Sequence, residues 1–304
     1  MNRFFKIVGS ALLMATLFAC DDKAGSTVEI RDYGQQYASD IVAIENYLKT
    51  HYIEVTHNAN GDVDETTITA IPDGGSQVSI WDQTTYPLQS KIVKLHNIEY
   101  KVYYLKLAAG TGDAPCGIDK VYTSYRGLLL TDGQFDYAPN ATEISLLGAI
   151  KGWEYTFPEF KRGVAVENPD GTLGYKDYGA GVIFLPSGLG YYSSYVGSIP
   201  EYSPLVFTFK LFDIQFLDQD GDGVLSRYEY GFDANGALID TDGDGVADVF
   251  DIDDDNDGVL TKDEIRIPGS TTGAQYAFDQ IPLCPSNSNG KKVHLDPGCQ
   301  GPNL

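Results

Sequence analysis

The first regular hydrophobic pattern in the chain spans residues 33–52. Apolar side chains recur there at Ile41, Ile44, Tyr47 and Leu48, a spacing close to the helical repeat of about 3.6 residues. An apolar stripe with this period has to pack against another part of the protein. The sequence therefore predicts one amphipathic helix over residues 33–52, with its apolar face docked on the domain that follows.

Strand patterns follow the helix. Residues 53–95 are rich in Thr, Asp and Gly, with short alternating stretches that predict short strands and loops. Three longer stretches, bounded by Gly, Pro and Asp, predict antiparallel strands at residues 100–107, 120–130 and 205–216. Asp132-Gly133 is a dipeptide typical of a hairpin turn. Periodicity is lost after residue 264, which predicts a loop-rich tail.

Charge is distributed unevenly along the 304 residues. The formal net charge is -22, and residues 213–264 alone hold 17 acidic side chains against Arg227 and Lys262. Binding to nucleic acid or to an anionic lipid surface depends on clustered Lys and Arg, so no nucleic-acid partner is expected. The length allows about two domains. The acidic block is either a solvated spacer or a set of metal-binding loops, and its regular spacing favours the loops.

The first 19 residues have the pattern of a secretory signal. Arg3 and Lys6 form a short basic start, and a largely apolar run of 13 residues, too short to span a bilayer comfortably, follows. The run closes with LFAC, which resembles the lipobox of bacterial lipoproteins; a buried core helix with an incidental Cys is the alternative. The resemblance implies a lipid on Cys20. It places the protein in the bacterial cell envelope, at the periplasmic face or the outer-membrane surface.

Three cysteines remain beyond Cys20. In an oxidising compartment, Cys284 and Cys299 could close a loop that is rich in Asn, Ser, Gly and Pro and has little core of its own. The sequence thus predicts a disulfide between these two residues. Cys116 is expected to be a free, partly buried thiol.

Five sequence blocks follow one another in the middle of the chain. They are VYTSYRGL at 121–128, DGQFD at 132–136, GAIKGWE at 148–154, LPSGLGY at 185–191, and IP at 199–200 followed by LVF at 205–207. Over about residues 100–217, this order resembles the FKBP-type peptidyl-prolyl cis-trans isomerases. The resemblance implies an α+β fold in which a curved antiparallel sheet wraps on a short helix. An N-terminal helical segment and a C-terminal calcium-loop region complete the expected fold.

The resemblance also implies a proline-binding pocket between the sheet and the short helix. Trp153 would form its floor, while the main-chain N–H of Ile150 and the hydroxyl of Tyr191 would hold substrate carbonyl groups. Asp136 would lie at the pocket edge, hydrogen-bonded to Tyr125. The alternative is that these aromatic residues are only core. The residues carried over are Tyr125, Phe135, Asp136, Ala149, Ile150, Trp153, Tyr191, Ile199 and Phe207.

Such a pocket needs no cofactor for catalysis. Rotation about an Xaa-Pro bond must break amide resonance, a barrier of about 20 kcal/mol. Because the planar amide has a larger dipole than the twisted transition state, an apolar cavity disfavours the ground state relative to the twist. The expected substrates are proline-containing exported polypeptides.

The sequence departs from the FKBP pattern at several positions. The stretch from Asp136 to Gly148 lacks the aromatic residue that is usual in the family. Tyr192 replaces a Gly, Glu201 replaces a second Pro, and residues 168–182 are predicted to be an insertion. These departures leave two alternatives to an active isomerase: a non-catalytic proline-binding module and a calcium-dependent surface interaction protein.

Three stretches of the acidic block have the spacing of an EF-hand-type calcium loop, with oxygen ligands at positions 1, 3, 5, 7, 9 and 12 and Gly at position 6. Only Ile252 separates the second and third loops. This leaves no room for two flanking helices, so the region resembles thrombospondin type 3 or dockerin-like repeats. Structural Ca²⁺ is the expected cofactor. The expected ligands are Asp218, Asp220, Asp222, Val224, Ser226 and Glu229; Asp240, Asp242, Asp244, Val246, Asp248 and Asp251; and Asp253, Asp255, Asp257, Val259, Thr261 and Glu264.

Taken together, these patterns divide the chain into five parts. They are a lipoprotein signal peptide at 1–19, a tether and helix-containing region at 20–95, an FKBP-like domain at 96–217, calcium-binding repeats at 218–264 and a tail at 265–304. The function that they favour is a lipid-anchored, calcium-stabilised isomerase and folding factor.

Overall fold

The computed structural model describes residues 30–234, 236–285 and 290–299. The predicted signal peptide and Cys20 lie outside this part of the chain. Among the described residues, no helix has the length and apolar character needed to span a bilayer. The regular elements are α1 (Tyr33–Thr50), β1 (His51–His57), β2 (Val63–Ala70), β3 (Gln89–Leu95), β4 (Ile98–Ala108), β5 (Lys120–Leu129), β6 (Gln134–Ser145), α2 (Lys151–Thr156), β7 (Val164–Glu167), β8 (Leu173–Lys176), β9 (Gly179–Leu185), β10 (Leu205–Gln215) and α3 (Thr261–Glu264).

Six antiparallel strands form the central sheet, in the order β3-β4-β9-β10-β5-β6. The three strands predicted from alternation are β4, β5 and β10, each within two residues of the predicted ends. Strands β1 and β2 form a separate hairpin, as do β7 and β8. The prediction of an α+β chain with antiparallel sheets and few helices is confirmed.

The central sheet is covered on both faces. Along β9, Ile183 and Leu185 belong to one core, whereas Val182 and Phe184 belong to the other. This alternation is the consequence of a strand's two-residue repeat. The first core contains α2, and the second contains α1 and the β1–β2 hairpin.

Helix α1 docks through the apolar face that its periodicity predicts. Ile44, Tyr47 and Leu48 are buried against the sheet. Asp32 caps the helix by accepting a hydrogen bond from Gln35 N, at 3.0 Å. The helix ends at Thr50, two residues earlier than predicted, because the chain turns extended and enters β1.

Buried Asp40 fixes α1 to the loop that follows β9. Its Oδ2 accepts hydrogen bonds from Ser187 N at 2.8 Å and from Ser187 Oγ at 2.6 Å, and its Oδ1 accepts one from Gln36. Burial raises the pKa of Asp40, and the hydrogen bonds oppose that shift. The helix therefore holds the segment that leads to Tyr191.

Helix α2 is short and lies very close to the sheet. A Cβ on Gly152 would lie 2.3 Å from Leu185 Cδ1, so the approach of this helix to β9 requires glycine. The same closeness buries Trp153 and lets Phe157 stack on Phe209 at 4.5 Å between ring centroids. Gly152 thus allows α2 to pack closely against Leu185 of β9.

The insertion predicted at residues 168–182 is only partly an insertion. Its first half forms the turn and second strand of the β7–β8 hairpin, but its end, Gly179–Val182, belongs to β9 in the middle of the central sheet. All seven residues of β9 are buried. A strand buried on both faces shows no alternation of polar and apolar residues, which is why the pattern of the sequence did not reveal it.

The acidic region and the tail form a small unit with a core of its own. Val224, from the first loop, packs with Ile265, Ile281 and Val293. A disulfide joins Cys284 and Cys299 beside them, with the two Cα atoms 5.6 Å apart. The tail has mostly irregular structure, as predicted, yet it packs against the acidic region.

No long helix flanks any of the three loops in the described part of the chain. Strand β10 ends just before the first loop, and the loops close with single helical turns at Ser226–Tyr228, Asp248–Phe250 and Thr261–Glu264. Paired EF-hand helices are therefore absent there, in agreement with the short spacing around Ile252.

Candidate functional sites

A cavity of about 160 Å³ lies between α2 and the sheet, at the predicted position of the proline pocket. Every residue carried over from the FKBP resemblance lines it except Ile199. Ile199 is buried in the same core, at 5% exposure, without facing the cavity. The lining residues are Tyr125, Phe135, Asp136, Ile144, Ala149, Ile150, Trp153, Tyr191 and Phe207.

The aromatic rings of the cavity meet edge to face around Trp153. Its ring centroid lies 5.1 Å from that of Tyr125 and 5.2 Å from that of Phe207, with interplanar angles of 88° and 85°. Phe135 meets Phe207 in the same way at 5.4 Å. Such pairs hold one another in place more firmly than area burial alone would. The result is an apolar cup in which Trp153 and Phe207 are buried, the other lining residues are half-buried and Asp136 is exposed.

Polar groups lie at the edge of this cup. Tyr125 Oη donates a hydrogen bond of 2.7 Å to Asp136 Oδ2, and Tyr137 N donates one of 2.8 Å to Asp136 Oδ1. Burial, followed by the hydrogen bond to Asp136, raises the pKa of Tyr125 to about 12, so its hydroxyl keeps its proton at neutral pH. The predicted contact between Asp136 and Tyr125 is present.

Ile150 immediately precedes α2 and has an extended backbone, at φ -64° and ψ 146°. Its carbonyl accepts a hydrogen bond from Trp153 N at 2.9 Å. Ile150 N donates no hydrogen bond to another described residue. That N–H is open to a bound carbonyl group, which is the role that the FKBP resemblance implies.

Ile144 is a lining residue that the sequence did not reveal. It lies on β6 opposite Val121 of β5 and packs on the same core. It forms part of the cavity wall. It belongs to the stretch from Asp136 to Gly148, in which the aromatic residue usual in the family is missing. Strand β6 is mostly exposed, so its apolar positions gave a weak pattern.

Tyr192, where the family has Gly, has a left-handed backbone with φ of 49°. Glycine adopts this conformation without cost, which accounts for the family preference. Here the side chain is buried instead, stacking on Tyr33 of α1 at 4.1 Å and donating a hydrogen bond to Arg31 O. The departure from the family pattern therefore attaches the N-terminal helix beside the pocket.

The three acidic loops share one backbone geometry. Gly223, Gly245 and Gly258, at position 6, have φ between 91° and 100°. Each glycine N–H donates to the first Asp of its loop, at 3.0–3.2 Å. Other loop amides bind one oxygen of the Asp at positions 3 and 5 in each loop. Backbone hydrogen bonds thus orient the carboxylates, as a preformed cation site requires.

At most of these positions the other carboxylate oxygen is buried and has no hydrogen-bond donor among the described residues, whereas both oxygens of Asp218 and of Asp240 accept from loop amides. Asp218, Asp220 and Asp222 each offer an oxygen to one cluster in which all the atoms lie within 4.8 Å, and the second and third loops each form an equivalent Asp cluster. Burial, and then neighbouring carboxylates, raise the pKa of Glu229 to about 10 and that of Glu264 to about 9. The oxygens without a donor belong to Asp220, Asp222, Glu229, Asp242, Asp253, Asp254, Asp255, Asp257 and Glu264.

The side chains at position 9 face the loop backbone. Ser226 Oγ accepts from Gln219 N at 2.9 Å, Asp248 Oδ1 from Thr241 N at 2.7 Å, and Thr261 Oγ1 from Asp254 N at 3.2 Å. The side-chain oxygens of these three predicted ligands therefore already accept hydrogen bonds from backbone N–H groups of their own loops. Hard oxygen donors without a partner, in loops turned by glycine, are the donor set that Ca²⁺ prefers.

The first loop is attached to the pocket domain at both ends. Leu217 N donates to buried Asp119 Oδ1 at 3.2 Å, just before the loop. After it, Tyr230 Oη donates to Glu154 Oε1 at 3.0 Å, and Phe232 stacks on Tyr155. Glu154 and Tyr155 belong to α2, the helix that carries Trp153. The acidic region therefore supports the pocket helix directly.

Comparison with known proteins finds a partial match to FKBP-type isomerases. Over 115 residues the chain is 29% identical to the FKBP-type peptidyl-prolyl cis-trans isomerase FkpA of Escherichia coli K12. It is equally similar to FkpA of the E. coli strains CFT073 and O157:H7. The matched part of the chain is thus similar to FKBP-type isomerases. The match covers 37% of this chain and spans 37% of the length of FkpA.

Solved structures give weaker global matches. E. coli FkpA is 21% identical and superposes with a TM-score of 0.35, covering 60% of this chain and 61% of that chain. A peptidyl-prolyl cis-trans isomerase of Pseudomonas syringae pv. tomato is 15% identical, also with a TM-score of 0.35, covering 62% of this chain and 98% of that chain. TM-scores this low carry no information about the pocket.

A second comparison concerns the acidic region. The sequence family described as BamM C-terminal matches residues 216–291. The match runs from the end of the sheet through all three loops and crosses the boundary predicted after residue 264. Because Val224 also packs on the tail, the loops and most of the tail form one segment.

Proposed function

We propose that this protein is a peptidyl-prolyl cis-trans isomerase that assists the folding of exported polypeptides. The observation that carries the proposal is the cavity beside Trp153, which is lined by every residue expected of a proline pocket except Ile199. The sequence similarity to FkpA, which extends over 115 residues, supports it.

The cavity suits bond rotation without covalent chemistry. A prolyl ring fits the apolar cup on Trp153 and Phe207, with water excluded from the floor. Ile150 N–H holds the substrate carbonyl, and the hydrogen-bonded Tyr125–Asp136 pair fixes the rim. Since the twisted amide has the smaller dipole, this environment lowers the barrier of about 20 kcal/mol relative to water.

The direct test is a protease-coupled assay with a short peptide that contains one Xaa-Pro bond. The chain in millimolar calcium should accelerate cis-to-trans conversion in proportion to its concentration, above an uncatalysed reaction that takes tens of seconds. Serum albumin at equal concentration is the control. Failure to exceed the uncatalysed rate would contradict the proposed isomerase activity. Binding of the same peptide would then identify a non-catalytic proline-binding module.

The proposal includes structural Ca²⁺ in the acidic region. The first loop would use Asp218, Asp220, Asp222 and Glu229 together with the carbonyl of Val224, and the other two loops would use their equivalents. Bound Ca²⁺ would supply positive charge to carboxylates that have no other counter-charge. It takes no part in the rotation of the prolyl bond.

The proposal also places the protein in the bacterial envelope, anchored through a lipid on Cys20. The signal-like start and the LFAC tetrapeptide support the anchor, and the Cys284–Cys299 disulfide is typical of an oxidising compartment. In a bacterial host, the wild-type chain should partition into Triton X-114, whereas Cys20→Ser should remain in the aqueous phase. Equal partitioning of the two chains would exclude the anchor.

A further inference from the structure

Asp254 is a buried carboxylate that the loop spacing leaves without a role. It lies between Asp253 and Asp255, at position 2 of the third loop, a position that supplies no ligand in an EF-hand-type loop. The side chain is nevertheless 1% exposed. Both of its oxygens are buried, and neither has a hydrogen-bond donor among the described residues.

The carboxylate of Asp254 lies with two ligand positions of the first loop. Oxygens of Asp222, Glu229 and Asp254 are all within 4.8 Å of one another. The three side chains are 1%, 7% and 1% exposed. Asp222 also belongs to the cluster with Asp218 and Asp220, so the group adjoins the ion site expected in that loop.

No cationic side chain among the described residues forms an ion pair with this group. Within the described part of the chain, none of the ion pairs formed by Lys, Arg or His involves Asp222, Glu229 or Asp254. Of the six oxygens, only Asp222 Oδ1 has a donor, from Val224 N, and three buried carboxylates with so few donors and no counter-charge would cost several kcal/mol each. A divalent cation between them removes that cost and takes oxygen ligands at distances of about 2.3–2.6 Å.

The residue at position 9 of the first loop also favours a ligand from outside that loop. Position 9 of that loop is Ser226, whose Oγ is engaged by Gln219 N and which is fully buried. Calcium takes about six to eight oxygen ligands. A carboxylate is a better ligand for it than a hydroxyl oxygen that already accepts a hydrogen bond. Asp254 is the nearby carboxylate with both oxygens unused.

We propose that Asp254 is a ligand of the calcium ion held by the first loop, so that one ion joins the first and third loops. The inference rests on the calcium binding proposed above. It has a structural consequence: the ion fixes the third loop to a loop that is itself attached to α2 through Tyr230 and Glu154. The first site then organises the whole acidic region, because its ligands Glu229 and Asp254 lie on either side of the second loop in the sequence.

The test is calcium titration calorimetry on the full chain and three variants. Glu229→Gln removes a ligand that the loop spacing predicts, Asp254→Asn removes the proposed one, and Asp263→Asn is the control. Asp263 is in the same loop as Asp254 but pairs with Arg266 at the surface. Glu229→Gln and Asp254→Asn should each weaken one site at least tenfold, and Asp263→Asn should bind as wild type. The double variant should lose little more than either single one, because both act on one ion.

The outcomes separate the two levels of the proposal. If the wild type binds no calcium, calcium binding itself is wrong. If the wild type binds calcium and Glu229→Gln weakens one site, unchanged binding by Asp254→Asn overturns the role of Asp254. At saturating calcium, Asp254→Asn should regain the wild-type circular dichroism spectrum, because mass action compensates a weakened site. An Asp254→Asn chain that remains unfolded at every calcium concentration would also overturn the proposal, since it would indicate a structural role independent of the ion.

Discussion

Removal of calcium with EGTA is expected to unfold residues 216–299 while the six-stranded sheet stays folded. In the absence of an ion, the buried oxygens of Asp222, Glu229 and Asp254 lie within 4.8 Å of one another without a counter-charge, and both buried oxygens of Glu264 lack a donor among the described residues. Each such carboxylate costs several kcal/mol. The small core around Val224 and the Cys284–Cys299 disulfide cannot offset that sum.

Limited proteolysis followed by mass spectrometry measures this directly. In calcium, cleavage within residues 216–299 should be slow, and in EGTA it should accelerate by at least tenfold. Each ion lost from a site at 100-fold saturation removes about 2.7 kcal/mol, which corresponds to about a hundredfold change in the opened population. Cleavage inside the strands of the central sheet should not change. Equal cleavage of the acidic region with and without EGTA would contradict a structural role for the ion.

Magnesium distinguishes a calcium site from a general response to divalent charge. Mg²⁺ demands near-ideal octahedral geometry at shorter distances and gives up its water reluctantly. Loops that offer backbone-oriented carboxylates together with the carbonyl at position 7 suit the larger ion. Addition of excess Mg²⁺ after EGTA should therefore restore little protection, whereas Ca²⁺ should restore all of it.

The sequence predicted those features that depend on neighbours close along the chain. The helix at residues 33–50 and strands β4, β5 and β10 carry a complete periodic pattern, and the acidic loops carry a fixed spacing of Asp and Gly. In each case, the physical reason for the structure lies within a short stretch. The pocket residues could also be predicted, because they occur in the five blocks of the FKBP pattern.

The features that the sequence did not reveal depend on distant pairing. Strand β9 has no alternation because both of its faces are buried, and Ile144 enters the pocket only through the register of β6 on β5. Asp254 occupies position 2, which supplies no ligand in the loop pattern, and its burial follows from how the third loop folds back on the first. No local pattern contains such information.

Replacement of Trp153 by Ala is expected to abolish most isomerase activity, lowering kcat/KM by about a hundredfold. The indole ring meets Tyr125 and Phe207 and stacks on Phe157 at 4.7 Å, so its loss removes the cavity floor and releases the rings around it. A hundredfold decrease corresponds to about 2.7 kcal/mol of lost transition-state binding. The same change should lower the free energy of unfolding by about 3–5 kcal/mol, as for other buried aromatic residues.

The second tryptophan of the chain provides the matched control. Trp81 lies against Tyr103 on the opposite side of the central sheet, away from the cavity. Trp81→Ala should lower stability and leave kcat/KM within about twofold of wild type, whereas Trp153→Phe, which keeps an aromatic floor, should lose much less activity than Trp153→Ala. Both alanine variants are to be assayed at a temperature where circular dichroism shows them folded. Equal loss of activity in the two would mean that turnover depends on the fold as a whole, and the cavity beside Trp153 would then not be the site of isomerisation.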